Sequence, residues 1–590
     1  MYRTHHCNEL RKSDIGSRAI LAGWVHVRRD HGGVIFIDLR DREGLTQVVF
    51  RPEENAELAK EAHHLRHEDV IQVEGKVSAR VPGTENPKLP TGDVELVPDK
   101  LQILNRSDVL PFPIDAETPN EDLRLTHRYI DLRRPQMSRN LRLRHRVTKA
   151  ARDYLDEKGF VEIETPILSK STPEGARDFL VPSRVSKGKF YALPQAPQQY
   201  KQLLMVGGIE KYFQIARCFR DEDLRSDRQL EFTQIDIEAS FVEPDDIFVL
   251  VEGLLAALLR AGRGVEISTP FPRITYAEAM DQFGSDKPDR RYEMRLTDLA
   301  DLFRESSFKM FRGALDAGGA VKAINAKGFA SLTIGQSDEL TEMAKHYGAK
   351  GLAFIKVENG EWKSPIVKFF TEAEKEALRS KLGVEEGDLI LFAADKWETV
   401  CEVLGRVRLR IAEMQQLAAS SEQFDFLWVT DFPLLAFDAA DNKWNAVHHP
   451  FTRPKADDLA KLEAGEFGTI RAEAYDVVLN GVELGGGSIR IHEPDLQAKV
   501  FTALGVSEAD QQTLFGHILR AFRMGTPPHG GIAFGLDRIV MLIAGEESIR
   551  EVIAFPKTNR GLDLMSQSPS DVDARQLREL GIKLSEPKNS

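Results

Sequence analysis

Three prolines fall within residues 106–120 (RSDVLPFPIDAETPN), and the hydrophobic period changes across them. Proline fixes φ and removes a backbone donor, so this stretch reads as a linker that no continuous sheet or helix can cross. Ahead of it, residues 1–105 are β-rich. Ala19–Val27, Gly33–Leu39, Leu45–Phe50, Val70–Ala79 and Val94–Leu104 are candidate strands with β-branched enrichment. One helical stretch, Glu53–Leu65, lies between the third and fourth. Five short strands with a helix after the third imply an OB-fold barrel, an architecture that often binds oligonucleotides. A barrel can also be a spacer, since fold alone does not fix function.

Beyond the linker the pattern turns to helices and longer strands. Leu141–Lys158 reads as a helix ended by Gly159, Phe160–Thr165 as a strand stopped by Pro166, and Ile247–Leu259, interrupted by Glu252, as an amphipathic helix. Residues 286–425 carry helix and strand signals of their own, such as Thr371–Leu382 and Gly351–Val357, while the chemistry-bearing motifs lie on either side. That places an inserted α/β domain at 286–425 within a domain made of 121–285 and 426–560. The polar residues 561–590 form a loosely packed extension.

The charge balance excludes little by itself. The chain has 79 Lys and Arg against 92 Asp and Glu, a net charge of -13. Residues 121–150 depart from this, with nine basic residues against three acidic. A basic patch can bind phosphates on an acidic protein, but a solvated, Arg-rich helix start accounts for it equally well. No apolar run of about 18 residues predicts a membrane span. The first residues, MYRTHHCNEL, lack the apolar region of a secretory signal. Cys7, Cys218 and Cys401 form no CxxC, which argues against a zinc ribbon or disulfide scaffold and fits a reducing cytoplasm. His63 and His67 are spaced as helical metal ligands, but no third ligand follows and a solvated face explains them.

Three separated segments carry the chemistry together. The first is Gly159-Phe-Val-Glu-Ile-Glu-Thr-Pro166. The second is Phe219-Arg220-Asp221-Glu222 followed by Arg228-x-x-x-Phe232-x-x-x-Asp236. The third is Gly530-Gly-Ile-Ala-Phe-Gly535-Leu-Asp-Arg538, leading into an apolar helix. In this order they resemble motifs 1, 2 and 3 of the class II aminoacyl-tRNA synthetases. Ser171-Thr-Pro-Glu174-Gly-Ala-Arg-Asp178, Gln195-Ala-Pro-Gln198-Gln-Tyr-Lys201-Gln and Glu483-Leu-Gly-Gly-Gly-Ser-Ile-Arg490 are similar to the bacterial type of aspartyl-tRNA synthetase, along nearly the whole chain. The resemblance implies an N-terminal OB-fold barrel, an antiparallel-sheet catalytic domain, an inserted α/β domain, and a homodimer with Pro166 near its interface.

It also implies a reaction. An amino-acid carboxylate attacks the α-phosphate of ATP, so two anions must meet. The nucleophile is already ionised, which leaves positioning and charge stabilisation as the main tasks. Arg220 suits that junction. The resemblance places Asp221, Glu222, Gln229, Glu483, Gly535, Leu536, Asp537 and Arg538 at ATP, with Glu222 and Gln229 toward adenine and Arg538 at the γ-phosphate. Asp476 and Glu483 flank Asn480-Gly481, a hairpin signal, so both carboxylates can meet on adjacent strands and hold Mg²⁺. Lys201 and Arg490 are candidates for the side-chain carboxylate of aspartate, Arg490 through a two-bond grip. Glu174, Gln198, Asp236 and His449 complete the implied pocket. The triple glycine 485–487 lets backbone approach the nucleotide.

In the barrel, Arg29, Phe36 and Gln47 match the family's anticodon-binding positions. Strand alternation allows Phe36 to face outward with Ile35 and Ile37 inward, the alternative being a second aromatic in the core. His31 stands where relatives restricted to tRNA-Asp often carry leucine. With Gly83 it matches relatives that charge both tRNA-Asp and tRNA-Asn. Such an enzyme implies a downstream amidotransferase. The alternatives are a strictly tRNA-Asp-specific enzyme, an asparaginyl enzyme, which Lys201 and Arg490 argue against, and a non-catalytic RNA-binding relative, which Arg220, Glu483 and Arg538 argue against.

Overall fold

The computed structural model describes residues 2–115, 119–171, 176–418 and 423–585. The chain divides into two compact units, residues 1–139 with 564–566, and the remainder.

In the first unit, β1 (Arg18–His31), β2 (Val34–Arg40), β3 (Leu45–Phe50), β4 (Val70–Ala79) and β5 (Val94–Asn105) close a barrel in the order β1-β2-β3-β5-β4. Helix α1 (Ala56–His63) follows β3 and is capped by the Asn55 side chain, which accepts from the Leu58 amide. Along β2, Ile35, Ile37 and Leu39 are buried in the barrel core with Leu21, Val25, Val48, Ile71 and Leu96, while Phe36 and Asp38 face outward. This is the five-strand barrel that the sequence implies. Part of the Arg-rich stretch is buried. Arg124, Arg128 and Arg134 are buried and all donate to Asp131, at 2.9, 2.5 and 3.3 Å.

In the second unit eight strands form one sheet. In chain order they are β6 (Val161–Glu162), β7 (Lys211–Phe219), β8 (Glu231–Ser240), β9 (Arg273–Thr275), β10 (Phe426–Thr430), β11 (Ala474–Leu479), β12 (Val482–Ile489) and β13 (His529–Gly535). The spatial order is β9-β10-β11-β12-β13-β8-β7-β6. The central pairings are antiparallel, and only the edges β6 and β9 pair in parallel. Helix α2 (Pro135–Glu157) and helix α3 (Pro244–Arg263) contribute Val147, Ala151, Leu155, Val251, Leu254 and Leu258 to the core on one face, with Ile237, Trp428, Val477 and Ile532 from the strands. Helix α2 starts at Pro135, six residues ahead of the expected start, because proline suits the first helical turn. The expected strand Phe160–Thr165 shrinks to two residues. Its β-branched residues find a partner only in β7, and Val161, Ile167 and Leu168 stay exposed at that sheet edge.

The segment 286–425 builds a separate five-stranded sheet. Its strands run Thr297–Asp298, Ala320–Ala326, Leu389–Asp395, Ala353–Glu358 and Glu361–Lys363, with hydrophobic clusters around Leu340 and Val403 and around Phe311 and Phe370. Its helix Trp397–Met414 is fixed by Arg408, whose guanidinium is buried, donates to the carbonyls of Asp289, Tyr292, Glu293 and Met294, and lies 4.2 Å from the Tyr292 ring centroid. Near the end of the chain, Ala574–Leu580 is a short helix with no buried residue. Among the described residues no helix is long and apolar enough to cross a membrane.

Candidate active site

The antiparallel sheet sets the site through period-2 geometry and bare glycine backbone. β11 and β12 are joined by Asn480-Gly481, both at positive φ (54° and 80°), as a tight hairpin requires. A register shift in this pair brings Val478 opposite Glu483 and Asp476 opposite Gly486. Asp476 and Val478 share a face, so Asp476 and Glu483 become diagonal neighbours. A Cβ on Gly486 would lie 2.5 Å from the Asp476 Oδ1, and one on Gly531 would lie 2.2 Å from the Glu238 Oε2. These glycines therefore leave room for carboxylates of the protein itself. Burial pushes the Glu483 carboxyl above its usual range, and the Asp476 charge adds to this.

Below that pair lies a fully buried charge lattice. Lys201 Nζ donates to Asp236 Oδ1 at 2.5 Å and sits 3.3 Å from Glu238 Oε2. Arg490 grips Glu238 through Nε and Nη2 at 2.9 and 3.1 Å, and its Nη1 donates to Ser488 Oγ and His449 Nε2 at 2.7 and 2.6 Å. Burial alone would raise Glu238, but Arg490 and Lys201 outweigh it and hold the carboxyl at about 2. Burial and the Arg490 charge keep His449 neutral, as accepting from Arg490 requires. Four of the five guanidinium donors of Arg490 are thus engaged within the protein. The expected two-bond grip of Arg490 goes to Glu238, which leaves one N–H for a ligand.

Two cavities meet here. One, of about 310 Å³, is lined by Arg220, Glu222, Asp227, Gln229, Phe232, Glu483, Gly535, Asp537 and Arg538. The other, of about 430 Å³, is lined by Gln198, Lys201, Arg220, Asp236, Asp286, His448, His449, Asp476, Glu483 and Arg490. Arg220 and Glu483 line both. The guanidinium of Arg220 lies 5.1 Å from the Phe232 ring centroid. Four residues lining these cavities carry a buried polar atom with no hydrogen-bond partner: Arg220 Nε, Asp236 Oδ2, His448 Nδ1 and Arg538 Nε.

Some residues singled out from the sequence stand differently. Leu536 is buried in the apolar core and lines neither cavity. Asp221 also lies outside both cavities, and its amide bonds the Arg177 carbonyl. Asp537 borders the first cavity, but its carboxylate accepts from Arg144 and from the Thr233 amide. Gln229 uses both amide atoms on the Lys557 backbone, so it braces a loop. Glu174 lies outside the described residues. His448 joins the site with His449: its Nε2 lies 3.2 Å from Asp476 Oδ1, and although burial lowers it, Asp476 and Glu483 raise its pKa on balance.

A family profile of class II tRNA synthetases (D, K and N) matches residues 120–559, which span both cavities and all three motifs. The chain belongs to the class II tRNA synthetases. A second profile, of an OB-fold nucleic acid binding domain, matches residues 19–104 of the synthetase. An aspartate–tRNA(Asp/Asn) ligase of Methylacidiphilum infernorum is 58% identical over 99% of this chain and 98% of its own length. An aspartate–tRNA ligase of Geobacillus kaustophilus is 53% identical over 100% of both chains. The crystal structure of an asparaginyl-tRNA synthetase from Pyrococcus horikoshii, complexed with asparaginyl-adenylate, aligns with a TM-score of 0.60 at 20% identity, over 95% of this chain and 99% of that one. That last likeness concerns the fold.

On the barrel of the synthetase, Arg29 lies directly opposite Phe36, and Asp38 opposite Gln47, so all four share the outward face. Arg29 donates to Asp38 at 2.8 Å. Gln47 is buried, and its amide donates to Glu95 at 3.0 Å, which makes Glu95 part of this face. His31 ends β1 with its ring edge-on to Phe36 at 5.8 Å. Gly83 lies apart in sequence, on the β4–β5 loop, at φ 86°. Sequence reading passed over Glu238, Ser488 and Glu95. Glu238 was detectable, since it follows Asp236 by two residues on one strand and must share its face.

Proposed function

We propose that this synthetase attaches L-aspartate to tRNA through an aspartyl-adenylate made from ATP. The observation that carries this reading is the buried lattice of Lys201, Asp236, Glu238 and Arg490 under a cavity that shares Arg220 and Glu483 with its neighbour. Lys201 and Arg490 each retain an N–H for the two oxygens of a side-chain carboxylate. An asparagine amide would present donors to those donors, a mismatch that can reject by about 10⁴–10⁵ without editing. The unpartnered Asp236 Oδ2 suits the α-ammonium, with Gln198 beside it. His449, neutral, keeps Arg490 oriented.

Arg220 then holds the α-carboxylate against the α-phosphate. A carboxylate oxygen attacks phosphorus, and pyrophosphate leaves toward Arg538. Glu222, Gln229 and Gly535 frame the nucleotide. Phe232 is stacked under Arg220 and borders the same cavity. In the second step a terminal ribose hydroxyl of tRNA attacks the aspartyl carbonyl and AMP departs.

Asp476 and Glu483 fit Mg²⁺, because they are hard carboxylate donors placed as diagonal neighbours on the two strands of one hairpin. When bound, Mg²⁺ would neutralise polyphosphate charge.

For tRNA, Arg29, Phe36, Gln47 and Glu95 form the reading face, with Phe36 as the stacking platform. His31 against Phe36, together with Gly83, supports charging of both tRNA-Asp and tRNA-Asn, as the name of the Methylacidiphilum relative states for that protein. The Geobacillus name mentions aspartate alone, so a strictly tRNA-Asp enzyme is the second reading. The exposed Val161, Ile167 and Leu168 around Pro166 support a homodimer through motif 1. A cytoplasmic setting and a downstream amidotransferase complete the proposal. ATP–pyrophosphate exchange tests the first step: dependence on aspartate is expected, and dependence on asparagine would overturn the assignment.

A further inference from the structure

The chain leaves the catalytic sheet for the insertion at Gly284–Arg291, directly after helix Tyr276–Phe283. Gly284 caps that helix at φ 65°, and a Cβ on it would lie 2.1 Å from the Cys401 carbonyl, so the turn is pressed against the insertion's helix Trp397–Met414. The turn is also tied to the hairpin that carries the catalytic carboxylates. Asp289 packs on Gly481, where a Cβ would meet its own Cβ at 2.9 Å. Arg290 donates twice to Asp425, at 3.1 and 2.6 Å. The Asp425 amide in turn bonds Asn480 Oδ1 at 2.9 Å. Both crossings into the insertion are therefore fastened to the Asn480-Gly481 turn.

This fastening has a consequence at the cavity. Asp286 lines it beside Asp476, Glu483 and His448. Lys287 pairs with Asp286 at 3.5 Å. Lys287 lines neither cavity itself and reaches the site through its pair with Asp286. We propose that Asp286 and Lys287 are further functional residues of this site, an outer charge pair that sets how strongly Asp476 and Glu483 attract a divalent cation and its polyphosphate. The inserted domain then supplies part of the wall of the active site. Asp286 adds attraction for the cation, and the positive charge of Lys287 opposes it.

This inference rests on the reading of Asp476 and Glu483 as the Mg²⁺ carboxylates, and the test separates the two. Mn²⁺ is titrated into wild type, D286N and K287M in the presence of ATP, with free Mn²⁺ followed by electron paramagnetic resonance, and the KM for ATP and for pyrophosphate is taken from exchange. Wild type must bind one Mn²⁺ that E483Q loses; if it does not, the metal reading fails first. Given that, D286N should weaken Mn²⁺ binding and K287M should tighten it, each by roughly three- to tenfold for partly exposed charges. K287R, which keeps the charge, should bind Mn²⁺ as wild type does. A structural role for the turn would shift both variants in one direction through kcat. Equal Mn²⁺ affinity in wild type, D286N and K287M would overturn the inference.

Discussion

Replacing Arg490 by lysine keeps the charge and removes the planar fork. Arg490 makes four bonds inside the protein, to Glu238 twice, Ser488 and His449, and has one N–H left for substrate. Lysine has three donors on a single nitrogen, so at least two of those five bonds are lost. Two of the four partner atoms belong to Glu238, a buried carboxylate that cannot turn to water. Charge-assisted hydrogen bonds contribute about 1.5–3 kcal/mol each, so the loss is roughly 3–6 kcal/mol. If half of that falls on substrate recognition, kcat/KM for aspartate drops by roughly 10–100-fold. Aspartate-dependent ATP–pyrophosphate exchange measures it, with thermal unfolding as a control for folding. Discrimination against asparagine should weaken as well. A variant within threefold of wild type in kcat/KM, with unchanged preference for aspartate, would refute the claim that the fork of Arg490 organises the pocket.

Four further outcomes are expected. E483Q should lose roughly a hundredfold or more in exchange rate, yet unfold at the same or a higher temperature, because the raised pKa of Glu483 means that its charge is disfavoured in the fold. G486A should abolish adenylate formation, since its methyl would displace the Asp476 carboxylate, and exchange on folded protein reads this out. His448 should titrate above its ordinary range, its stabilising contribution full below about pH 6.5 and lost as pH rises through the raised value. Saturating Mg²⁺ and ATP should lower that value by offsetting Asp476 and Glu483, which NMR of labelled histidine can follow. H31L should reduce charging of tRNA-Asn several-fold more than that of tRNA-Asp, measured on the two purified tRNAs.

Much of the fold can be read from residue patterns because local chemistry and tertiary structure agree there. The Asn480-Gly481 turn is one case, since a tight hairpin demands positive φ at two positions and those residues tolerate it. The alternation of Ile35, Phe36 and Ile37 is another. Where pairing partners decide the outcome, local pattern misleads. Phe160–Thr165 has strand composition but only a short length of neighbour, so two residues pair. The basic stretch 121–150 does not reveal that Asp131 lies among three of its arginines. In the site, Lys201 and Arg490 are legible as cations for a carboxylate. Their internal partner Glu238 is not picked out by motif spacing, though strand periodicity points to it. Glu252 looks like an interruption of an apolar helix, yet it is buried and accepts from Trp428 Nε1 and the Phe271 amide.

Aspartylation of tRNA by this site is decided by charging purified tRNA-Asp and tRNA-Asn with labelled aspartate, ATP and Mg²⁺. Aspartate is expected on both tRNAs, with no amino acid attached when asparagine replaces it. Failure to load aspartate on either tRNA, or loading of asparagine in its place, would contradict it.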